Sequence, residues 1–179
     1  MSAWGWAWLT VRHGRLEPTA RLYVLHLGYH GGQIAEPGAT TADALAVSAA
    51  QVYRVRPKLV ELGVTSETRA RTGRNPQRTT RLTCPPDELG QSTDSQLVAW
   101  SWACAREHWL SPAQSVALLW VAHCGGTVTQ TWRGLGRACG ASHSTTRPAV
   151  EALARRGLLE VELGVSNRPH TLRLLGGLS

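Results

Sequence analysis

The chain repeats itself, and the repeat limits what it can fold into more than any single motif does. Ala3-Trp4-Gly5-Trp6-Ala7 returns as Ala99-Trp100-Ser101-Trp102-Ala103, and His13 returns as His108. From Leu16 and Pro18, matched by Leu110 and Pro112, the register runs on without a gap. Leu22 to His30 falls on Val116 to Cys124, and each stretch is followed at once by a glycine pair, Gly31-Gly32 and Gly125-Gly126. Ile34 falls on Val128, Ser48 on Ser142, Leu59 on Leu153, and Gly63-Val64 on Gly157-Leu158. After a small shift Pro76 meets Pro169, and Arg81-Leu82 meets Arg173-Leu174. A pattern carried twice presents the same apolar face twice, so each copy is expected to close its own core. The reading is two tandem units, 1–84 and 97–179, joined by a short polar linker over 85–96 that includes Pro85-Pro86-Asp87.

Within each unit the periodicity predicts helices first and a hairpin last. Trp4, Trp8 and Val11 lie at helical spacing, as do Val98, Trp102, Ala105 and Trp109. These tryptophans read as core or subunit-contact residues, and the Trp-rich helices as the candidate surface for a homodimer. Pro18 and Pro112 each open a further helix, where a missing N–H costs nothing. The helices Leu22 to His30 and Val116 to His123 are apolar on most faces and are expected to be buried. A short helix ends near Ala44, Leu45 and Val47. The next begins at Ser48-Ala49-Ala50-Gln51, a capping-box spacing, and sets Val52, Val55, Leu59 and Leu62 on one face. Gly63 ends it. In the second unit the corresponding helices run around Trp132 to Ala138 and from about Ser144 to Arg156, with a turn over Cys139-Gly140-Ala141-Ser142. Two strands then close each unit. The second-unit strands are Leu158 to Leu163 and His170 to Leu175. In the first unit, Arg69, Arg71, Arg74, Arg78 and Arg81 surround the turn residues Gly73, Asn75 and Pro76.

Charge then narrows the partner. The formal net charge is +7, and Lys58 is the only lysine, so the positive charge is almost wholly arginine. Guanidinium groups grip phosphate and guanine bidentately, which ammonium groups cannot. A basic helix beside an arginine-rich hairpin suits the backbone of duplex DNA. Met1-Ser2-Ala3-Trp4 lacks the basic region and apolar run of a secretory leader. No apolar run approaches the ~20 residues that span a bilayer. Cys84, Cys104, Cys124 and Cys139 are far apart, and read as reduced structural thiols of a cytoplasmic, nucleoid-associated protein. The 12 carboxylates form no recognisable acid–base pair, and no G-x-S-x-G, P-loop or H-E-x-x-H motif is present, so no enzyme is expected. His123-Cys124 and Cys139-x-x-x-His143 do not form a convincing metal set, and no cofactor is expected.

Residues 135–159, LGRACGASHSTTRPAVEALARRGLL, resemble winged helix-turn-helix DNA-binding domains of the MarR and GntR type. Leu135, the small turn residues Gly140-Ala141-Ser142, Thr146-Arg147, Val150, Leu153 and Gly157-Leu158-Leu159 carry the likeness. Residues 44–64 follow the same plan more loosely. The resemblance implies a mainly α fold with small β-hairpin wings (α+β), in two tandem winged helix-turn-helix domains related by internal duplication. It also implies a recognition helix in the major groove and a wing on the backbone or minor groove. The candidate DNA-contacting residues of the first unit are then Gln51, Tyr53, Arg54, Arg56 and Lys58 on the helix, with Arg69, Arg71, Arg74, Arg78 and Arg81 on the hairpin. Those of the second are Ser142, His143, Ser144, Thr145, Arg147 and Arg168.

Pro57 and Pro148 depart from the pattern, because each falls inside a proposed recognition helix. Either the helices start late, near Arg54 and Ser144, or they are kinked. The expected function is sequence-specific binding of double-stranded DNA, as a transcriptional regulator reading an asymmetric site. Two alternatives stand beside it. One is a DNA-binding protein of plasmid or phage replication or partition. The other is a winged-helix protein-interaction scaffold, which has no need of so many wing arginines.

Overall fold

A computed structural model describes residues 2–70, 77–83, 95–164 and 168–176 of the 179-residue chain. The fold is mixed α+β, and the chain divides into two compact units, Met1–Thr93 and Asp94–Ser179. Each unit contributes four of the described helices and one three-stranded antiparallel sheet.

The first unit begins with α1 (Ala3–His13), capped by Ser2 Oγ accepting from Gly5 N–H. Ala3, Trp4, Ala7, Trp8 and Val11 form its buried stripe against α2 (Pro18–Tyr29). Pro18 opens α2, whose residues from Leu22 to Gly28 are all buried; an interior helix has no polar face to spare. A two-residue strand β1 (Gln33–Ile34) leads to α3 (Gly38–Leu45) and α4 (Ala49–Glu61). The hairpin β2 (Thr65–Ala70) and β3 (Gln77–Leu82) closes the unit, with β3 in the centre of the sheet.

The second unit follows the same order: α5 (Gln96–Glu107), α6 (Pro112–His123), β4 (Thr127–Gln130), α7 (Trp132–Ala138), α8 (His143–Arg155), β5 (Leu159–Glu162) and β6 (His170–Leu174). The agreement extends to single bonds. Gln33 faces Arg81 across the first sheet, as Thr127 faces Arg173 across the second. Leu82 N–H donates to Gly32 O at 2.7 Å, and Leu174 N–H donates to Gly126 O at 2.9 Å. Left-handed backbone recurs at Arg15 and Trp109 (φ 46° and 48°), at Ala46 and Gly140 (53° and 63°), and at Gly63 and Gly157 (68° and 70°). β1 and β4 were not foreseen in the sequence; their two to four residues are too short to show a strand's alternation.

Several expectations change. The tryptophan repeat is two residues out of step. Burial pairs Trp4, Ala7, Trp8 and Val11 with Val98, Ser101, Trp102 and Ala105, so Trp6-Ala7-Trp8 corresponds to Trp100-Ser101-Trp102. The gapless register therefore extends back to the first helix. Trp4, Trp8 and Trp102 lie in the cores of their own units, which removes them from any subunit contact. Trp109, expected on the buried stripe, is 77% exposed, because it sits past the end of α5 in a left-handed turn. Leu62 is likewise 63% exposed, since it is the C-cap of α4 and no longer on its buried face. Ser95 caps α5 and Gln96 begins it, so both belong to the second unit and not to a linker.

Neither proline delays its helix. α4 starts at Ala49 with the complete Ser48–Gln51 capping box, and α8 starts at His143 with Ser142 as N-cap. Pro57 and Pro148 are both exposed. The carbonyls they leave without an intrahelical donor belong to Tyr53 and Ser144, both exposed residues, where water can satisfy them.

Candidate nucleic-acid interface

In each unit a short helix turns into a longer one, and a hairpin follows. The turns are built alike: Val47 N–H donates to Ala42 O at 3.0 Å, and Ala141 N–H donates to Gly136 O at 2.8 Å. The buried residues Val52, Val55 and Leu59 of α4, like Thr146, Ala149, Val150 and Leu153 of α8, fix which side of the second helix faces outward. That outward side carries Ala50, Tyr53, Arg54, Pro57 and Lys58 in the first unit, and Ser144, Arg147, Pro148 and Glu151 in the second.

The first unit brings fewer candidates to this side than the sequence suggests. Arg56 is 3% exposed and points into the core. Its Nε donates to Tyr23 Oη at 2.8 Å, and its Nη2 donates to Thr41 Oγ1 at 3.1 Å and to Glu36 O at 3.4 Å. Arg56 is thus a structural residue and leaves the set of DNA contacts. Helical spacing could have shown this, since Arg56 follows Val52 by four residues and Val55 by one on the buried side. Gln51 is occupied too: its Oε1 accepts from Ser48 N–H at 2.9 Å to complete the cap. Tyr53 is 56% exposed and lies over the start of α3, close enough that a Cβ on Gly38 would stand 2.8 Å from its ring. Arg54 is exposed and meets Glu17 at 3.5 Å. Lys58 and Arg69 are exposed. Arg78 pairs with Glu67 at 3.4 Å, and Arg81 donates to Gln33 Oε1 at 3.1 Å. Arg71 and Arg74, with the turn residues Gly73, Asn75 and Pro76, lie outside the described residues.

The second unit gathers its candidates more closely. Ser142 Oγ accepts from Thr145 N–H at 3.2 Å and lies 2.8 Å from Ser144 Oγ, so these hydroxyls largely serve the cap. Arg147 Nε donates to Glu151 at 2.8 Å, one helical turn on. Its guanidinium also lies 5.9 Å from the centre of the Trp132 ring. Trp132 in turn packs against His170, with ring centres 4.6 Å apart and planes tilted by 30°. An open cleft of about 500 Å³ is lined by Thr131, Trp132, Arg133, His143, Arg168 and His170. Trp132, Arg133 and His170 were not among the sequence candidates. They come from two separate stretches, and only the fold brings them to His143 and Arg168.

Behind α4 the first unit holds a buried polar network. His26, 4% exposed, donates through Nε2 to Glu36 Oε1 at 3.0 Å, and Thr41 Oγ1 donates to the same oxygen at 3.3 Å. The hydrogen bond from His26 holds the Glu36 carboxyl below the usual carboxylate range. Burial, and then His26 beside it, push His30 below the ordinary imidazole value. Burial pushes the Tyr23 phenol up. Among the described residues, no group of three or more His, Cys, Asp or Glu side chains could hold a metal ion. No described helix is long and apolar enough to cross a membrane.

The chain matches no protein-family model and no curated protein. Its class therefore rests on the geometry: two α+β units, each carrying a helix–turn–helix step and an adjoining hairpin.

Proposed function

We propose that this protein binds double-stranded DNA through two winged helix-turn-helix units, α4 and α8 being the recognition helices, and acts as a sequence-specific transcriptional regulator. The observation that carries the reading is the same construction in both units. A capped helix packs its apolar side inward and leaves cationic and hydroxyl side chains outward, next to a basic or aromatic-flanked hairpin. The excess of arginine supplies the electrostatic attraction. Arg54 and Arg147 stand in the second turns of their helices, near the ends that enter a groove. The outward faces differ, with Tyr53-Arg54 in one unit against Arg147-Pro148 in the other, so the two half-sites of the target are unlike. No catalysis and no cofactor belong to this reading.

Selection of bound duplexes from a random pool with the full chain tests it. An enriched, non-palindromic element is expected, with affinity falling steeply as salt rises through counterion release. Replacing Arg69, Arg71, Arg74, Arg78 and Arg81 with Ala should flatten the salt slope. Failure of the wild-type chain to shift any duplex at low salt would refute the reading.

A further inference from the structure

We infer that the cleft of the second unit is a seat for a single DNA phosphate, with Trp132 as the pedestal that supports its His170 donor. The inference rests on the DNA-binding reading and names the group this part of the surface takes. Six side chains line the cleft, and beside the Trp132 ring stand five with hydroxyl, imidazole or guanidinium donors suited to an anion: Thr131, Arg133, His143, Arg168 and His170.

Two of these donors, His170 and Thr131, are held before any ligand arrives. Gly164 N–H donates to His170 Nδ1 at 3.1 Å, so the neutral ring carries its proton on Nε2 and can donate without being protonated. The Trp132 ring supports His170 at 4.6 Å and Arg147 at 5.9 Å, so both ride on one rigid group. Trp132 is therefore a support for these side chains and not a shelf for a base. Thr131 is committed at one lone pair, accepting from Gly134 N–H at 3.1 Å as the α7 cap. Carboxylates on α8 and β5 are paired elsewhere: Glu151 with Arg147 at 2.8 Å and Glu162 with Arg173 at 3.8 Å. Arg133 and Arg168, both exposed, are the charges left for the ligand.

Among its described residues the first unit shows no such set of donors. By register Gly38 stands for Trp132, Ala39 for Arg133 and Ala49 for His143, which removes the pedestal and two donors. A tightly held phosphate is thus assigned to the second unit. A phosphodiester fits better than a bare anion, because the cleft is open to solvent and is lined by His143, the first residue of α8.

The test uses the full chain and its selected duplex, with methylphosphonates placed one at a time to neutralise single phosphates. One position should lower wild-type affinity by about tenfold, as the loss of a charge-assisted contact does. The Arg133→Ala/Arg168→Ala protein should lose a similar amount on the unmodified duplex and nothing further at that position. Trp132→Ala keeps every charge but removes the support of His170, so it should weaken the dependence on that one phosphate while leaving the effects at all other positions as in the wild type. Losses that add at every position would overturn the seat and leave DNA binding standing. No duplex binding by the wild type would overturn both.

Discussion

The two units share a backbone plan and solve the same packing problem in opposite ways. At the centre of the first, His26, Glu36, Thr41, Arg56 and Tyr23 are tied by hydrogen bonds. Following the common register, the second unit has Trp120, Gln130, Leu135, Val150 and Ala117 there, with Trp120 Nε1 donating to Gln130 at 3.3 Å. A buried arginine demands every partner it has, because an unsatisfied donor in a low-dielectric interior is costly. An apolar cluster demands only volume. The surfaces show the converse. The first unit's hairpin carries separate arginines, whereas the second arranges fewer charges around one aromatic ring.

The largest expected effect comes from cutting the network. Arg56→Ala should cost the first unit about 3 kcal/mol and leave the second untouched. Hydrogen exchange resolved by residue reads the units separately. The same variant, kept cold enough to stay folded, should bind DNA with an unchanged salt slope; a flattened slope would return Arg56 to the surface. The reciprocal transplant, Tyr23→Ala/His26→Trp/Glu36→Gln/Thr41→Leu/Arg56→Val, should recover most of the loss. Simple additivity of its parts would mean that the network does not act as a unit.

Next in size are the outward arginines. Arg54→Ala and Arg147→Ala should each cost roughly 1–3 kcal/mol on the selected duplex and less on random DNA. Equal losses on both duplexes would assign these side chains to phosphate. A footprint unchanged by deletion of residues 98–179 would show that only the first unit reads DNA.

A smaller difference lies in the turns. Ala46 adopts φ 53° where the second unit has Gly140 at 63°. Left-handed backbone strains a residue with a Cβ. Ala46→Gly should therefore stabilise the first unit by about 0.5–1 kcal/mol, and Gly140→Ala should destabilise the second by a similar amount. Thermal melts that move in the same direction for both variants would contradict this.

The smallest effect is the pH response, because Glu36 and His30 are partly open to solvent, which screens their interactions. Both have folded pKa values below their unfolded ones. The unfolded chain therefore takes up protons first as pH falls: at His30 below about 6.5, then at Glu36 below about 4.5. Stability present above those values drains from the first unit on acidification. Cys124 and Gln130 occupy the corresponding places in the second unit and provide no such titration. Exchange protection followed from pH 7 to pH 4 should fall further in the first unit than in the second.

Much of the fold was written in the chain, because local rules set it. Pro18 and Pro112 mark helix starts, Ser48-x-x-Gln51 and Ser111-x-x-Gln114 form capping boxes, and Gly63 and Gly157 end helices by adopting positive φ. The repeat announced two units of like order. What sequence could not decide was which way ambiguous side chains turn. Arg56 reads as a basic surface residue until Tyr23 and Thr41, from two other helices, are packed against it. Helical spacing allowed Trp109 and Leu62 a buried stripe, and the ends of their helices left both in solvent. Trp132, His143 and His170 stand in three separate segments and share a cleft only once α7, α8 and β6 are folded. Caps and periodicity act within a few residues of chain, so they are visible in order. Burial and convergence depend on what arrives from elsewhere, and only the tertiary structure decides that.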